Sequence, residues 1–350
     1  MRRRLLRVSR EALLIGFLTF GLGEVVLRVV HHFHPVFIFY SDSYDRFRRE
    51  PFSWDHSFRL NSRGFKDVEF EAAKGEAHRI IGIGDSFAVG VVPYEYNYLT
   101  LLEEELRRGG WDIELFNMGI PNLGAKEYSE LLVAEALELD PDLVLLSFFV
   151  GNDFFESVRE IKRHPLDYSY VASLLRYALG ILPHVEKTVP EGPWEYDDSS
   201  PSIKPETYLK IERWRSRICF QNPESFTLLL DASVAKLDEI SKICRRRGIA
   251  LIVVVIPDEF QVNPELQDAI LESRGKTREE STVDFARPNR MLARELDALG
   301  IEYLDLLPAF ADGGRQSRNY KLRDTHWNIA GNQLAAEVIA EYLLARRLSR

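Results

Sequence analysis

Three short stretches hold side chains whose types and order suit nucleophilic attack on an ester: "GDSF" at Gly84–Phe87, "GND" at Gly151–Asp153 and "DTHW" at Asp324–Trp327. A serine nucleophile needs a base to take its proton, a group to orient that base, and N–H donors for the oxyanion that forms. Ser86 is the candidate nucleophile, His326 the base and Asp324 the orienter. Asn152 offers a carboxamide, and "NMGIPNLG" (Asn117–Gly124) offers backbone amides in a turn. Each residue also has a plainer use. Ser86 could cap a helix, Asn152 and Asp153 could shape a turn, and Asp324 and His326 could sit on a solvated surface. Placement favours the chemistry, because each stretch lies just beyond an apolar run or, for Asp324 and His326, just before the last helical pattern.

Those runs are Arg79–Ile83, Ile113–Phe116, Leu143–Phe149, Ile249–Ile256 and Ile301–Leu306. They are continuously apolar and β-branched, as strands covered on both faces must be. Helical patterns separate them at Tyr98–Arg108, Ala125–Leu139, Phe226–Arg246, Asn289–Leu299 and Ile329–Arg346. Strand alternating with helix predicts an α/β three-layer sandwich around a five-stranded parallel sheet. Ligands of such sheets bind beyond the carboxyl ends of the strands. Leu230, Val234, Leu237, Ile240, Ile243 and Cys244 make the stripe by which one helix would pack, and Asn328 is the natural cap of the last helix. The stretch 154–223 breaks the rhythm. It includes "TVPEGPWEYDDSSPSIKPE" (Thr188–Glu206) and reads as an insertion that sets specificity or forms a lid. Its aromatics Tyr168, Tyr170, Tyr177, Trp194, Tyr196 and Trp214 would either stack on sugar rings or fill a local core.

Taken in order, Gly84-Asp85-Ser86-Phe87, Gly151-Asn152-Asp153 and Asp324-Thr325-His326 resemble the first, third and last blocks of the SGNH hydrolases, also called the GDSL family. "RLNSRGFKD" (Arg59–Asp67) and the basic, apolar N-terminus are similar to membrane-anchored bacterial members. The resemblance implies a flavodoxin-like sheet, Ser86 as nucleophile, and oxyanion donors from the Ser86 N–H and the Asn152 side chain. It further implies His326 as base and Asp324 as its orienter, with Asp85, Gly151 and Trp327 near the substrate, and no cofactor or metal. Two positions depart from the pattern. The second-block glycine falls at Asn122, with Gly119 and Gly124 as alternative donors. The acid usually three residues before the histidine is Arg323, so Asp324, two before, takes its place. This Asp-x-His-Trp form is similar to exported polysaccharide O-acetyltransferases and related esterases. Gly84, Ser86 and Ala88 also satisfy the nucleophile elbow of α/β-hydrolases, although that fold brings its acid and histidine from separate loops.

The chain has 350 residues, 45% of them hydrophobic, and a net charge of −9, which disfavours a general nucleic-acid binder. Two cysteines supply neither a ligand cluster nor a disulfide framework; Cys219 and Cys244 could pair if exported, or, with Cys244 on the buried stripe, stay as reduced core thiols. Arg2, Arg3, Arg4, Arg7 and Arg10 precede an apolar stretch that reaches Val30, interrupted by Glu24 and Arg28 at i,i+4 spacing. The stretch reads as a retained single-pass anchor, with a cleaved signal or an amphipathic helix as alternatives. Positive-inside orientation then puts residues 1–10 in the cytoplasm and the hydrolase domain on the extracytoplasmic, periplasmic side. The expected organisation is an anchor at 11–31, a juxtamembrane segment at 32–77, and a hydrolase domain at 78–153 and 224–350 around the insertion. Three functions fit: an esterase acting on O-acyl, especially O-acetyl, groups of an exported carbohydrate or a lipid; an O-acyltransferase using the same serine; and a non-catalytic envelope assembly protein.

Overall fold

The five apolar runs form one parallel sheet in a computed structural model, which describes residues 2–33, 44–159, 165–179, 192–313 and 318–346. A small antiparallel hairpin precedes the sheet, with β1 at Trp54–Asp55 and β2 at Phe58–Arg59. The sheet strands are β3 (His78–Gly84), β4 (Ile113–Gly119), β5 (Leu143–Phe149), β6 (Ala250–Ile256) and β7 (Glu302–Asp305), in the order β4-β3-β5-β6-β7. That is the flavodoxin-like order, and its reversal between β3 and β5 opens a crevice at the carboxyl ends. Register is regular: Ile81 faces Phe116 on one side and Val144 on the other, and Val253 faces Tyr303.

Both faces of the sheet are dry. Ile80, Leu143, Leu145, Ile252 and Val254 are buried in one core with the helices Tyr98–Arg108 and Ile329–Arg346. The other layer is made by the helices Ala125–Ala134, Pro223–Arg247 and Arg287–Leu299. The long helix starts three residues before the periodic pattern, because Asn222 caps it (Ser225 N–H, 2.8 Å) and Pro223 fits its first turn. Leu230, Leu237, Ile240 and Cys244 are buried as expected, whereas Val234 and Ile243 are only half-buried. Ser233 takes an interior place instead, its hydroxyl donating to Leu229 O at 3.0 Å. The pattern at Ala125–Leu139 splits into an α-helix to Ala134 and a 3-10 turn at Ala136–Leu139. Cys219 and Cys244 are both buried and free, so the expected alternative of a disulfide is not realised.

The chain divides into two units, residues 1–46 with 160–188 and residues 47–159 with 189–350. Residues from Phe47 onward fall in the sheet unit. The reason lies in "RLNSRGFKD". Asp67 accepts from the Asn117 N–H at 2.6 Å with one oxygen, and from Val68 N–H at 2.8 Å and Tyr94 O–H at 3.0 Å with the other. Neighbouring Lys66 donates to Val92 O at 2.5 Å and pairs with Asp55 at 2.8 Å. The segment thus clamps the end of β4 and the turn after Gly90. Asp67→Ala would strand the buried Asn117 N–H and take the acceptor from the part-buried Val68 N–H and Tyr94 O–H, and an unsatisfied buried donor costs about 1–3 kcal/mol. We expect a loss of at least ~2 kcal/mol, read as a fall in the urea midpoint at unchanged slope.

The other unit holds the helix Arg2–Phe33 and the helix Tyr170–Ala178. Within the first, Arg10–Val30 is 21 residues long and, among the described residues, the one helix long and apolar enough to cross a membrane. Glu24 and Arg28 pair as their spacing predicts, at 2.6 Å.

Candidate active site

Ser86 is the first residue of a one-turn helix, Ser86–Val89, that leaves β3 at its carboxyl end. The cap of that helix is Asp85, whose side chain accepts from Phe87 N–H at 2.9 Å, so Ser86 is relieved of capping. The turn packs tightly on β4. A Cβ at Gly119 would stand 2.7 Å from Ala88 Cβ and 2.8 Å from Val89 N, so only glycine permits the approach.

The chain returns to this point 240 residues later. His326 Nε2 lies 2.9 Å from Ser86 Oγ, and His326 Nδ1 lies 2.8 Å from Asp324 Oδ1. With Nδ1–H donating to the carboxylate, Nε2 is left as the acceptor for the serine proton. Burial pushes the Asp324 carboxyl up, but its hydrogen bond and charge interaction with His326, with help from Ser202 and Lys321, leave it below its ordinary value. That favours the ionised form, the form a group orienting His326 would need.

The turn that carries the pair is tightly wound. Arg323 and Thr325 have φ of 49° and 80°, outside the usual range for a residue with a side chain. Lys321 N–H donates to His326 O at 2.8 Å, and Tyr320 bridges Trp327. Alternation across this turn sends His326 towards Ser86 and Trp327 into the core. Trp327 is 1% exposed, stacked on Phe310 at 4.8 Å and edge-on to Phe87 at 5.0 Å. The expectation that Trp327 meets substrate is thus corrected: it is the pin that holds the turn. Asn328 caps the last helix, accepting from Gly331 N–H at 3.0 Å.

Asp85 and Gly151, also expected at the substrate, are buried supports. Asp85 has no exposure, and burial raises its carboxyl against the Phe87 N–H, the charges of His326 and Arg215, and a hydrogen bond with Asn152. A Cβ at Gly151 would land on the Asp258 carboxylate and the Phe149 ring. Asp258 follows β6, and Arg215 stands 3.6 Å from both Asp258 and Glu212 with its guanidinium over Phe149 at 5.1 Å. Asp258 could have been found by the same strand-end rule that found the others. Arg215, on a helix of the insertion, carries no local signal.

Asn152 begins the one-turn helix Asp153–Glu156 after β5 and is 9% exposed. The loop is fixed by Asp153, which accepts from Tyr128 O–H and Phe149 N–H, both at 2.9 Å. In the second block, Gly119 N–H donates to Asn117 Oδ1 at 2.9 Å and Gly124 N–H to Glu127 at 3.2 Å. Those two amides are occupied. Asn122 has φ of 60°, which asparagine tolerates, and no acceptor for its N–H is found among the described residues.

The second half of the insertion was not readable as part of the site. Ser202 N–H donates to Leu322 O at 3.1 Å and Ile203 N–H to Arg323 O at 3.0 Å. Asp198 binds Arg318 at 2.9 Å and receives Asn328 Nδ2 at 3.1 Å. Residues 198–203 are therefore a brace on the turn that holds Asp324 and His326. Trp194 lies beside His56, ring centroids 5.0 Å apart, while Trp214 sits on Arg217 at 4.2 Å. Tyr168 and Tyr170 belong to the other unit, and the Tyr177 side chain lies outside the described residues.

Residues 220–349 match a family model described as SGNH hydrolase-like domain, acetyltransferase AlgX. Over that stretch the chain is similar to an SGNH hydrolase-like domain. The matched residues include Asp324 and His326, and the sheet brings Ser86 to them from outside the match. No curated protein sequence is significantly similar to the chain. Among solved structures, the chain is similar to an acetyl xylan esterase, AlAXEase, at 14% identity (76% of this chain, 99% of that one, TM-score 0.43). It is also similar to the acetylxylan esterase Axe2 of Geobacillus stearothermophilus at 13% identity (79% and 96%, TM-score 0.41). A third likeness is LAE5, an alpha/beta hydrolase enzyme from the metagenome of Lake Arreo, Spain, at 15% identity (80% and 99%, TM-score 0.41). At these identities none of the three speaks for a substrate.

If Asn152 holds the oxyanion, Asn152→Ala lowers kcat by about a hundredfold to a thousandfold, the usual effect of one lost donor. The thermal midpoint should stay close to that of the wild type, since the loop is anchored through Asp153. Steady-state kinetics on an activated ester, with a melting curve on the same sample, checks both.

Proposed function

We propose that this SGNH hydrolase-like enzyme transfers or removes O-acyl, in first place O-acetyl, groups of a carbohydrate through an acyl-enzyme on Ser86. The observation that carries the reading is the unbroken chain Ser86 Oγ–His326 Nε2 (2.9 Å) and His326 Nδ1–Asp324 (2.8 Å) at the carboxyl end of the sheet. In the proposed reaction His326 takes the Ser86 proton as Oγ attacks the ester carbonyl. The Ser86 N–H, the Asn152 carboxamide and the Asn122 N–H donate to the oxyanion. The imidazolium then protonates the leaving alcohol, and the acyl group waits on Ser86. Water completes a hydrolysis; a sugar hydroxyl completes a transfer.

The family match, whose description names an acetyltransferase, favours transfer as a second outcome of the same site. The arginine-rich start of the apolar helix supports a single-pass anchor in the cytoplasmic membrane with the sheet unit on the periplasmic side. The deciding experiment incubates the full chain with p-nitrophenyl acetate, with and without an unacetylated oligosaccharide, and follows products by mass spectrometry. Acetate alone in both cases means an esterase, and acetylated oligosaccharide means a transferase. No turnover of this ester or of longer acyl esters refutes the acyl-enzyme reading.

A further inference from the structure

Glu24 and Arg28 are the only charged residues between Ala12 and Val30. Charges at that depth of a spanning helix are costly and mark an interaction within the membrane. Their partners lie in the same unit, on the segment 165–179. The Glu24 carboxylate accepts from the first amides of the helix Tyr170–Ala178, Tyr170 N–H at 3.0 Å and Val171 N–H at 3.1 Å, and from the Ser169 hydroxyl at 3.0 Å. Arg28 donates to Tyr168 O at 2.7 Å and lies over the Tyr170 ring at 4.5 Å. A Cβ on Gly23 would stand 3.2 Å from Val171, so the two helices touch closely there. Glu24 thus serves as the N-terminal cap of a helix distant in sequence.

The segment's surface fits the same surroundings. From Pro165 to Leu179 the only charged residues are Asp167 and Arg176. Leu174, Leu175 and Leu179 are 38, 55 and 71% exposed, and on the long helix Leu22, Val25 and Val26 are exposed as well. Glu24 lies roughly 9 Å below the end of the apolar stretch at Val30, at 1.5 Å per residue. A nine-residue helix is only about 13 Å long and cannot cross a bilayer of ~30 Å, so any membrane contact it makes is in the interface.

We propose that the segment 165–179 is a second membrane contact, a short helix latched to the anchor by Glu24 and Arg28 with Leu174, Leu175 and Leu179 in the outer leaflet. The inference rests on the reading of Arg10–Val30 as a retained anchor. It gives the two charges of that helix a purpose and makes part of the insertion a lipid-binding element.

The test uses the full chain in phosphatidylcholine–phosphatidylglycerol vesicles, with the environment-sensitive dye NBD on Leu175→Cys or, separately, on Leu18→Cys. Cys219 and Cys244 are buried, and the untouched chain gives the labelling background. Both probes should emit in the blue, be quenched by lipid-borne doxyl groups and resist aqueous iodide. Adding Glu24→Ala should return the Leu175 probe to water-like, iodide-sensitive emission and leave the Leu18 probe unchanged. A water-like Leu175 probe beside a lipid-like Leu18 probe overturns the proposal and spares the anchor. A blue Leu175 probe that doxyl lipids fail to quench means protein, such as a second copy, covers the leucines, which also overturns it. A water-like Leu18 probe overturns the anchor and the proposal together.

Discussion

Ser86→Ala is expected to abolish ester turnover, lowering kcat by about a million-fold, the scale seen when a triad nucleophile is removed. Alanine cannot form the acyl-enzyme, and the residual rate would come only from oxyanion donors acting on bound water. The fold should hardly notice. Ser86 is half-buried, its helix is capped by Asp85, and its hydroxyl has His326 as its partner. Stability should therefore change by no more than about 0.5–1 kcal/mol. The pairing of near-zero activity with an unchanged melting curve separates a nucleophile from a residue that merely supports the turn. Retention of a tenth of the wild-type kcat would remove Ser86 from the chemistry.

Asp324→Asn should be nearly as damaging, with kcat down by about ten-thousandfold. The carboxamide can present an N–H to His326 Nδ1. The imidazole proton then moves to Nε2, the atom that must accept from Ser86 at 2.9 Å. The substitution also removes the negative charge that would stabilise the imidazolium. Geometry should survive, because the turn is held by Trp327 in the core and by Ser202 and Ile203 pairing with Leu322 and Arg323. A crystal structure or an unchanged thermal midpoint would confirm that the loss is chemical. A kcat within tenfold of the wild type would mean that Asp324 does not set the tautomer.

Much of this site could be read from the sequence because its parts sit where strands end. Continuous apolar runs such as Leu143–Phe149 mark strands, and Ser86 and Asn152 each lie three residues beyond such a run, at the crevice. What escaped was long-range pairing and side-chain direction. Nothing in the local pattern says that residues 198–203 brace a turn more than a hundred positions away. Nor does adjacency to His326 reveal that Trp327 points the opposite way, a consequence of the alternation imposed by its bridge to Tyr320. The place of Phe47–Asp67 was hidden for a related reason. A polar stretch with two short strands looks like a linker until Asp67 is seen holding the Asn117 amide. Glu24 and Arg28 showed the opposite behaviour. Their i,i+4 pairing was legible, but the helix they hold lies about 140 residues on.

The most direct test is to treat the native chain with a fluorophosphonate and locate the adduct by tandem mass spectrometry of a complete digest. A serine made nucleophilic by an adjacent imidazole should take up the reagent stoichiometrically. One phosphonyl group on Ser86, lost when His326 is replaced by alanine, is the predicted result. An adduct on any other residue, or an active enzyme that takes up no label, would contradict it.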